Sequence, residues 1–493
     1  MRIPRLLKQS AIRAGAMLLV KLIGLAGRVL LTRLVGAEGI GLYQIAYSFY
    51  GFVLMLTGGI PTTLAIATAK APSQGWKFLK IISLGMILSG GILSLLIYSN
   101  SSVISGWLGN PSLEYAVRSL APSIFAVPLL SLARGYLQGM KQIGIIACSE
   151  IAEQLTRFLF MLLIIWQLGW LGIERAVGYG LYGTVIGAVL SFTLVTVYIS
   201  INNKRFTFIE PFHRPLHLIW FVKTSLVISA TRMLIPASEF IDALLISNRL
   251  LAAGYSTSEA TAIYGVIYGM AVIIVYSPTL LTGALSHTVS MHIAAAWQQG
   301  NQQRAASLSS LALYACWLWG LVCGLFLFVY ADELSFYIFN TARVNQVIRY
   351  LAFIPLIVGF REISTSILWA QDIRKNPFFG LLSGIICAVG IQYFLVALPG
   401  FSYKGAAAGI LMLELVAACW NFRVLHLSMA SLRQILLPLL YDLAFVFVTL
   451  SALSRLFHHS AEILSLWRFL LMSCSYFTLS GVYMYFRSIR KLL

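Results

Sequence analysis

About fourteen apolar stretches, each long enough to cross a lipid bilayer, follow one another along this 493-residue chain, and that succession leaves few folds open. A hydrocarbon core about 30 Å thick takes about 20 apolar residues of helix. The chain is 59% hydrophobic and 10% charged, with mean hydropathy +0.86, so it supplies that length repeatedly. A soluble chain of this size could not hide so much apolar surface. Spans are expected over 10–34, 39–69, 76–98, 115–140, 143–168, 176–199, 216–246, 260–286, 303–330, 346–371, 378–398, 403–427, 434–457 and 462–487. Membrane-crossing strands would be short and strictly alternating, so the fold class is an all-α integral membrane protein with about 14 transmembrane helices.

Arg2, Arg5, Lys8 and Arg13 precede the first span as they would in a secretory signal. The apolar run is too long for one, is interrupted by Lys21 and Arg28, and lacks a small-residue cleavage site, so an uncleaved first helix is expected. With the N-terminus cytoplasmic, twenty of the 35 Lys and Arg residues fall on the inner face and nine on the outer. The positive-inside rule then places both termini in the cytoplasm. A net charge of +19 would suggest nucleic acid in a soluble protein. Here the asymmetry and attraction to anionic lipid account for most of it, and nucleic-acid binding is not expected. Cys148, Cys316, Cys323, Cys387, Cys419 and Cys474 all lie in apolar spans without metal-ligand spacing, and read as small buried hydrophobes.

No soluble domain interrupts the spans. The longest polar connection, about 200–215, follows the sixth span and suggests an N-terminal lobe of six helices over 1–200 and a cytoplasmic linker over 201–215. A second six-helix lobe would occupy 216–430, and two further helices with a tail 431–493. Gln138-Gly-Met-Lys-Gln-Ile-Gly144 after the fourth span echoes Gln371-Asp-Ile-Arg-Lys-Asn-Pro377 after the tenth, as turns of two parallel repeats would.

Charges inside the spans are the functional clue, because lipid tolerates them only where they serve a purpose. Lys21, Gly24 and Arg28 fall at i, i+3 and i+7, which puts two cations on one stripe about 10 Å apart. Either they snorkel toward an interface or they face a hydrated cavity that attracts an anion. Arg232, Pro236 and Glu239 fall at i, i+4 and i+7 on the seventh span, with Asp242 three residues on and Pro236 as a hinge candidate; an internal ion-pair network and a substrate or ion-coupling role both fit. Glu150, Glu153 and Arg157 share one face of the fifth span and read as a self-compensating network. Arg361 with Glu362, Glu414 and Asp442 are further intramembrane charges, any of whose carboxylates suits a proton or sodium.

Tyr43, Tyr47 and Tyr50, at i, i+4 and i+7 with Gly58-Gly-Ile-Pro61 beyond, would line a cavity that accepts sugar rings or else pack helices together. The chain has no nucleophile elbow, no phosphate-binding loop and no His-Glu-x-x-His, so no enzyme, ATP-driven pump or metalloprotease is indicated and no cofactor is expected.

Gly36-Ala-Glu-Gly-Ile-Gly-Leu-Tyr-Gln44, Gly58-Gly-Ile-Pro61, Ala133-Arg-Gly-Tyr-Leu-Gln-Gly-Met-Lys141, Glu150-Ile-Ala-Glu-Gln-Leu-Thr-Arg157 and Ala253-Gly-Tyr-Ser-Thr-Ser-Glu-Ala-Thr261 together resemble the stage V sporulation protein B family of polysaccharide flippases. That family belongs to the multidrug/oligosaccharidyl-lipid/polysaccharide (MOP) superfamily and is related to MurJ-type lipid II flippases. The resemblance implies two six-helix lobes around a central cavity with two extra helices, moving an undecaprenyl-linked glycan across the membrane by alternating access for peptidoglycan or spore cortex. It places Lys21, and near it Arg28, where relatives bind the lipid pyrophosphate; Arg232 is a candidate by location and chemistry. Coupling to sodium or a proton would involve Glu239, Asp242 or Glu414, although the eleventh span, 378–398, lacks the acid that some relatives carry there. A cation-coupled multidrug exporter is the alternative, and a membrane glycan polymerase or ligase would need a large outer loop that this chain lacks.

Overall fold

The structure is a computed structural model and describes residues 5–202, 217–425, 429–457 and 465–487. These residues are helical apart from short connections, and they contain no strand. Two compact units divide the chain, Met1–Gly265 and Val266–Leu493. The expected lobes break instead at 201–215, a segment almost wholly outside the described residues, and that two-lobe organisation stays a proposal.

The first unit holds α1 (Arg5–Met55), α2 (Ile60–Lys70), α3 (Pro72–Ser99), α4 (Ser101–Trp107), α5 (Glu114–Gly139), α6 (Ile143–Leu168), α7 (Ile173–Gly180), α8 (Tyr182–Asn202), α9 (Leu218–Ala252) and α10 (Thr257–Tyr264). Twelve helical segments among the described residues are long and apolar enough to cross a membrane. They fall on the third to fourteenth expected spans, except that the eighth, expected over 260–286, ends at Tyr276 and a turn at 277–278 opens the separate helix Thr279–Gln298. The first two differ: 10–34 and 39–69 run together as α1, bent at Gly36 (φ 67°, ψ −166°), a backbone conformation open to glycine and costly for any residue with a Cβ. The second expected span then breaks at a turn over 56–59, where Gly58 N–H donates to Met55 O at 3.1 Å, before Pro61 opens α2. By contrast α9 runs unbroken through Pro236.

In an apolar 18-residue stretch within Pro111–Gly139, 72% of the residues are buried, and in one within Pro72–Ser99 only 11%. Thus α5 forms the centre of the unit, packed by α2, α3, α7 and α8, while α3 turns most of its apolar surface outward, as a membrane helix does toward lipid. Close approach of α2 and α5 depends on Gly135, whose missing Cβ would lie 2.3 Å from the Pro61 carbonyl oxygen. Along α1 pack α6, α9 and α10.

The second unit begins inside a π-helical turn (Gly265–Ala271) that leads into α11 (Val272–Tyr276). It continues through α12 (Thr279–Gln298), α13 (Gln302–Val329), α14 (Ala331–Phe339), α15 (Asn345–Leu351), α16 (Ile354–Ala370), α17 (Lys375–Leu395), α18 (Ser402–Val424), α19 (Met429–Phe457) and α20 (Leu466–Arg487). Here α16 packs against α12, α13 and α18, α17 pairs with α18, and α19 and α20 pack on α13.

Only two cysteines are buried, Cys316 and Cys323; Cys148, Cys387, Cys419 and Cys474 are exposed, against the expectation of burial. A thiol that is apolar enough for a core is equally at home against lipid.

Candidate functional site

The first unit concentrates the charges expected to act. Lys21 is exposed on α1, and Arg28 is half-buried two turns further on. Arg28 stands in electrostatic reach of Tyr47 and of Glu239 on α9, and neither cation enters an ion pair with a described residue. Arg232, exposed on α9, donates from Nη1 to the Gly58 carbonyl at 3.2 Å, and one turn earlier Ser229 Oγ accepts from Gly59 N–H at 2.9 Å. These two side chains therefore hold the turn between α1 and α2, satisfying backbone groups that the helix break leaves open.

Glu239 is exposed beside Phe240, whose ring stacks on Phe52 of α1 at 4.9 Å. Asp242, expected with it as a coupling acid, is buried, within electrostatic reach of buried Tyr264.

The tyrosine stripe is turned inward. Tyr43 and Tyr50 are 1% and 2% exposed, so they are core residues rather than cavity lining; Tyr47 alone is half-buried. Tyr43 and Tyr47 stack at 5.2 Å, and Tyr50 lies 5.3 Å from Tyr47. Arg157 of α6 holds Tyr47, donating from Nη1 to Tyr47 Oη at 2.6 Å and from Nη2 to Gln154 at 2.6 Å, with its guanidinium over the Phe158 ring at 4.6 Å.

Glu150 and Glu153 form ion pairs outside their own helix face rather than with Arg157, on which Glu153 acts at longer range. Arg13 pairs with Glu150 at 2.7 Å and Arg134 with Glu153 at 2.7 Å, so α6 is tied to α1 and α5.

In the second unit, Arg361 of α16 forms an ion pair with buried Glu414 of α18, whose other oxygen accepts from Tyr276 at 3.1 Å. Thr282 donates to Glu362 at 3.1 Å, and Asn421 donates to Ser364 and Thr365 at 3.0 and 2.9 Å. Asp442 of α19, fully buried, accepts from Tyr314 of α13 at 2.7 Å and from Tyr483 of α20 at 2.6 Å, with Arg487 at 3.4 Å. Sequence reasoning missed this junction, although Tyr483 and Arg487 at i, i+4 offer a hydroxyl and a guanidinium to one acceptor. No group of three or more His, Cys, Asp or Glu residues among the described residues is arranged to hold a metal ion.

The family profile described as "Polysaccharide biosynthesis protein" matches residues 6–286, more than half of the chain and the whole stretch that carries Lys21, Arg28, Arg232 and Glu239. The chain belongs to the polysaccharide biosynthesis protein family. Within the family it is 24% identical over 448 residues to stage V sporulation protein B of Bacillus subtilis (strain 168), covering 86% of this chain and 84% of that protein. It is 29% identical over 203 residues to the lipid II flippase MurJ of the same organism, 38% of this chain and 37% of that one. Among solved structures it is similar to an inward-facing multidrug resistance MATE family transporter of the MOP superfamily, with a TM-score of 0.65 at 14% identity over 82% of this chain and 93% of that one. A MOP superfamily transporter from Pyrococcus furiosus Vc1 (DSM3638), noted for the reverse polarity of its binding pocket, gives 0.59 at 14% identity over 84% and 93%. At such identities the likeness is one of fold: this family member is a multi-pass membrane protein with the MOP transporter fold.

Proposed function

We propose that the chain is a flippase for a polyprenyl-pyrophosphate-linked glycan, lipid II or a related precursor of peptidoglycan or spore cortex. The observation that carries this reading is a division among the intramembrane cations. Arg134 and Arg361 are each held by a carboxylate and Arg157 by side-chain hydrogen bonds, whereas Lys21, Arg28 and Arg232 enter no ion pair with a described residue. Cations kept at membrane depth without a carboxylate suit a substrate that brings its own anion, and a pyrophosphate is such an anion. The glycan travels through the protein while the polyprenyl tail stays in lipid. The relatives named for sporulation and for lipid II flipping support this substrate class.

Coupling to sodium or a proton, with Glu239 as its carrier, belongs to the same proposal: it is an exposed carboxylate facing Arg28, and its charge state would alter the field at the substrate's pyrophosphate. A cation-coupled multidrug exporter is the second reading, favoured by the MATE fold; against it, three cations outside ion pairs repel a cationic drug.

Expression in a strain depleted of its lipid II flippases, with lipid II accessibility assayed on each leaflet, tests the proposal. Restored outer-leaflet lipid II supports it. Unchanged accessibility together with drug resistance in the same cells transfers the assignment to the exporter.

A further inference from the structure

Another surface of the first unit, where α2 passes into α3 and α9 begins, is built for an anion of its own. The rings of Phe78 and Phe221 lie 5.0 Å apart and bring the openings of α3 and α9 side by side. Two lysine–tryptophan pairs flank that contact: Lys70 Nζ stands 5.3 Å from the Trp220 ring centroid, and Lys80 Nζ 5.3 Å from that of Trp76. Lys77 and Lys223 follow one turn from Lys80 and Trp220, and all four lysines are exposed. None forms an ion pair with a described residue.

The helix ends add to this charge. Ala71 and His217 precede α3 and α9, neither makes a side-chain cap, and neither first turn contains an acid. The open N-termini of α3 and α9 contribute partial positive charge beside the lysines, of which Lys70 stands in the last turn of α2. A turn beyond the lysines the same two helices expose Ile81, Leu84, Leu226 and Val227. Cationic groups on indole platforms above an apolar wall match a phosphate joined to hydrocarbon chains; a soluble phosphate would leave the wall unused.

We propose that this surface is a binding site for an anionic phospholipid, its phosphate among Lys70, Lys77, Lys80 and Lys223 and its acyl chains along α3 and α9. The site shares no residue with Lys21, Arg28 and Arg232.

Native mass spectrometry of the full chain in a neutral detergent, titrated separately with phosphatidylglycerol, phosphatidylcholine and inorganic phosphate, tests it. Phosphatidylglycerol is expected to be retained in clear preference to phosphatidylcholine, and each Lys→Gln change at 70, 77, 80 or 223 to weaken its retention about five-fold. Arginine at the same four positions should keep it, as should glutamine at exposed Arg175, Arg304, Arg343 and Lys404. Should the fourfold glutamine variant fail to fold, Lys70→Gln and Lys223→Gln singly carry the test. Equal retention of the two lipids, or unchanged retention by the glutamine variants, overturns the site. Displacement of phosphatidylglycerol by millimolar inorganic phosphate overturns the lipid assignment.

Discussion

An arginine at membrane depth serves two ends in this chain, and its partner tells which. Where a carboxylate from another helix meets it, as Glu414 meets Arg361, the pair ties helices together. Removing one partner leaves a buried charge, at a cost of about 3–5 kcal/mol. Glu414→Gln is therefore expected to lower the thermal midpoint and membrane abundance along with activity, as is Arg361→Ala. Lys21, Arg28 and Arg232 should behave otherwise. Alanine at any one is expected to lower glycan flipping roughly ten-fold or more, the worth of one charge-assisted hydrogen bond. Abundance, read by immunoblot, should stay near normal for Lys21→Ala and Arg28→Ala and fall modestly for Arg232→Ala, which also frees the Gly58 carbonyl, and Lys21→Arg and Arg232→Lys should retain part of the activity. Matching losses of abundance and flipping would return these cations to a structural role. Glu239→Gln is expected to lower transport without loss of protein, whereas Asp242→Asn, at a buried position, should cost stability as well.

At the level of elements, the determining features are breaks and junctions rather than helices. The turn over 56–59 allows α2 to lie against α5, and α9 closes over that turn through Ser229 and Arg232. Gly135→Ala would press a Cβ against the Pro61 carbonyl and is expected to destabilise the protein by about 1–3 kcal/mol, measured as a drop in thermal midpoint. At the other end of the chain, Asp442 is the shared acceptor that joins α13, α19 and α20, beneath a stack of Phe445 on Tyr483 at 3.9 Å. Asp442→Ala strands two half-buried hydroxyls and a guanidinium, so amide exchange across 466–487 should quicken while α16 to α18 keep their protection. Uniform exchange across both regions would show that α19 and α20 dock by apolar contact alone.

For the whole molecule, the asymmetry of basic residues makes one topology the expectation, with both termini cytoplasmic. Four exposed positions test it: Glu174 and Arg343 on the expected outer face, Arg304 and Arg374 on the inner. Single cysteines there, in a background without the six native ones, should react with an impermeant maleimide from outside only at 174 and 343. The reverse pattern inverts the topology and the sidedness of transport.

Twelve of the expected spans, and with them the membrane class of the protein, follow from the sequence alone, because apolar length against bilayer thickness is a property of each segment by itself. Family membership was equally local, carried by short motifs such as Gly58-Gly-Ile-Pro61. Partner choice was not. The sequence presented Tyr43, Tyr47 and Tyr50 as a stripe and Arg157 as one of three charges on another helix; only folding set Arg157 against Tyr47, withdrew two tyrosines into the core and sent Glu150 and Glu153 to Arg13 and Arg134. A charge in an apolar span announces that it needs a partner, but which of the many others it meets depends on how the helices rotate and pack, and that is decided only in three dimensions.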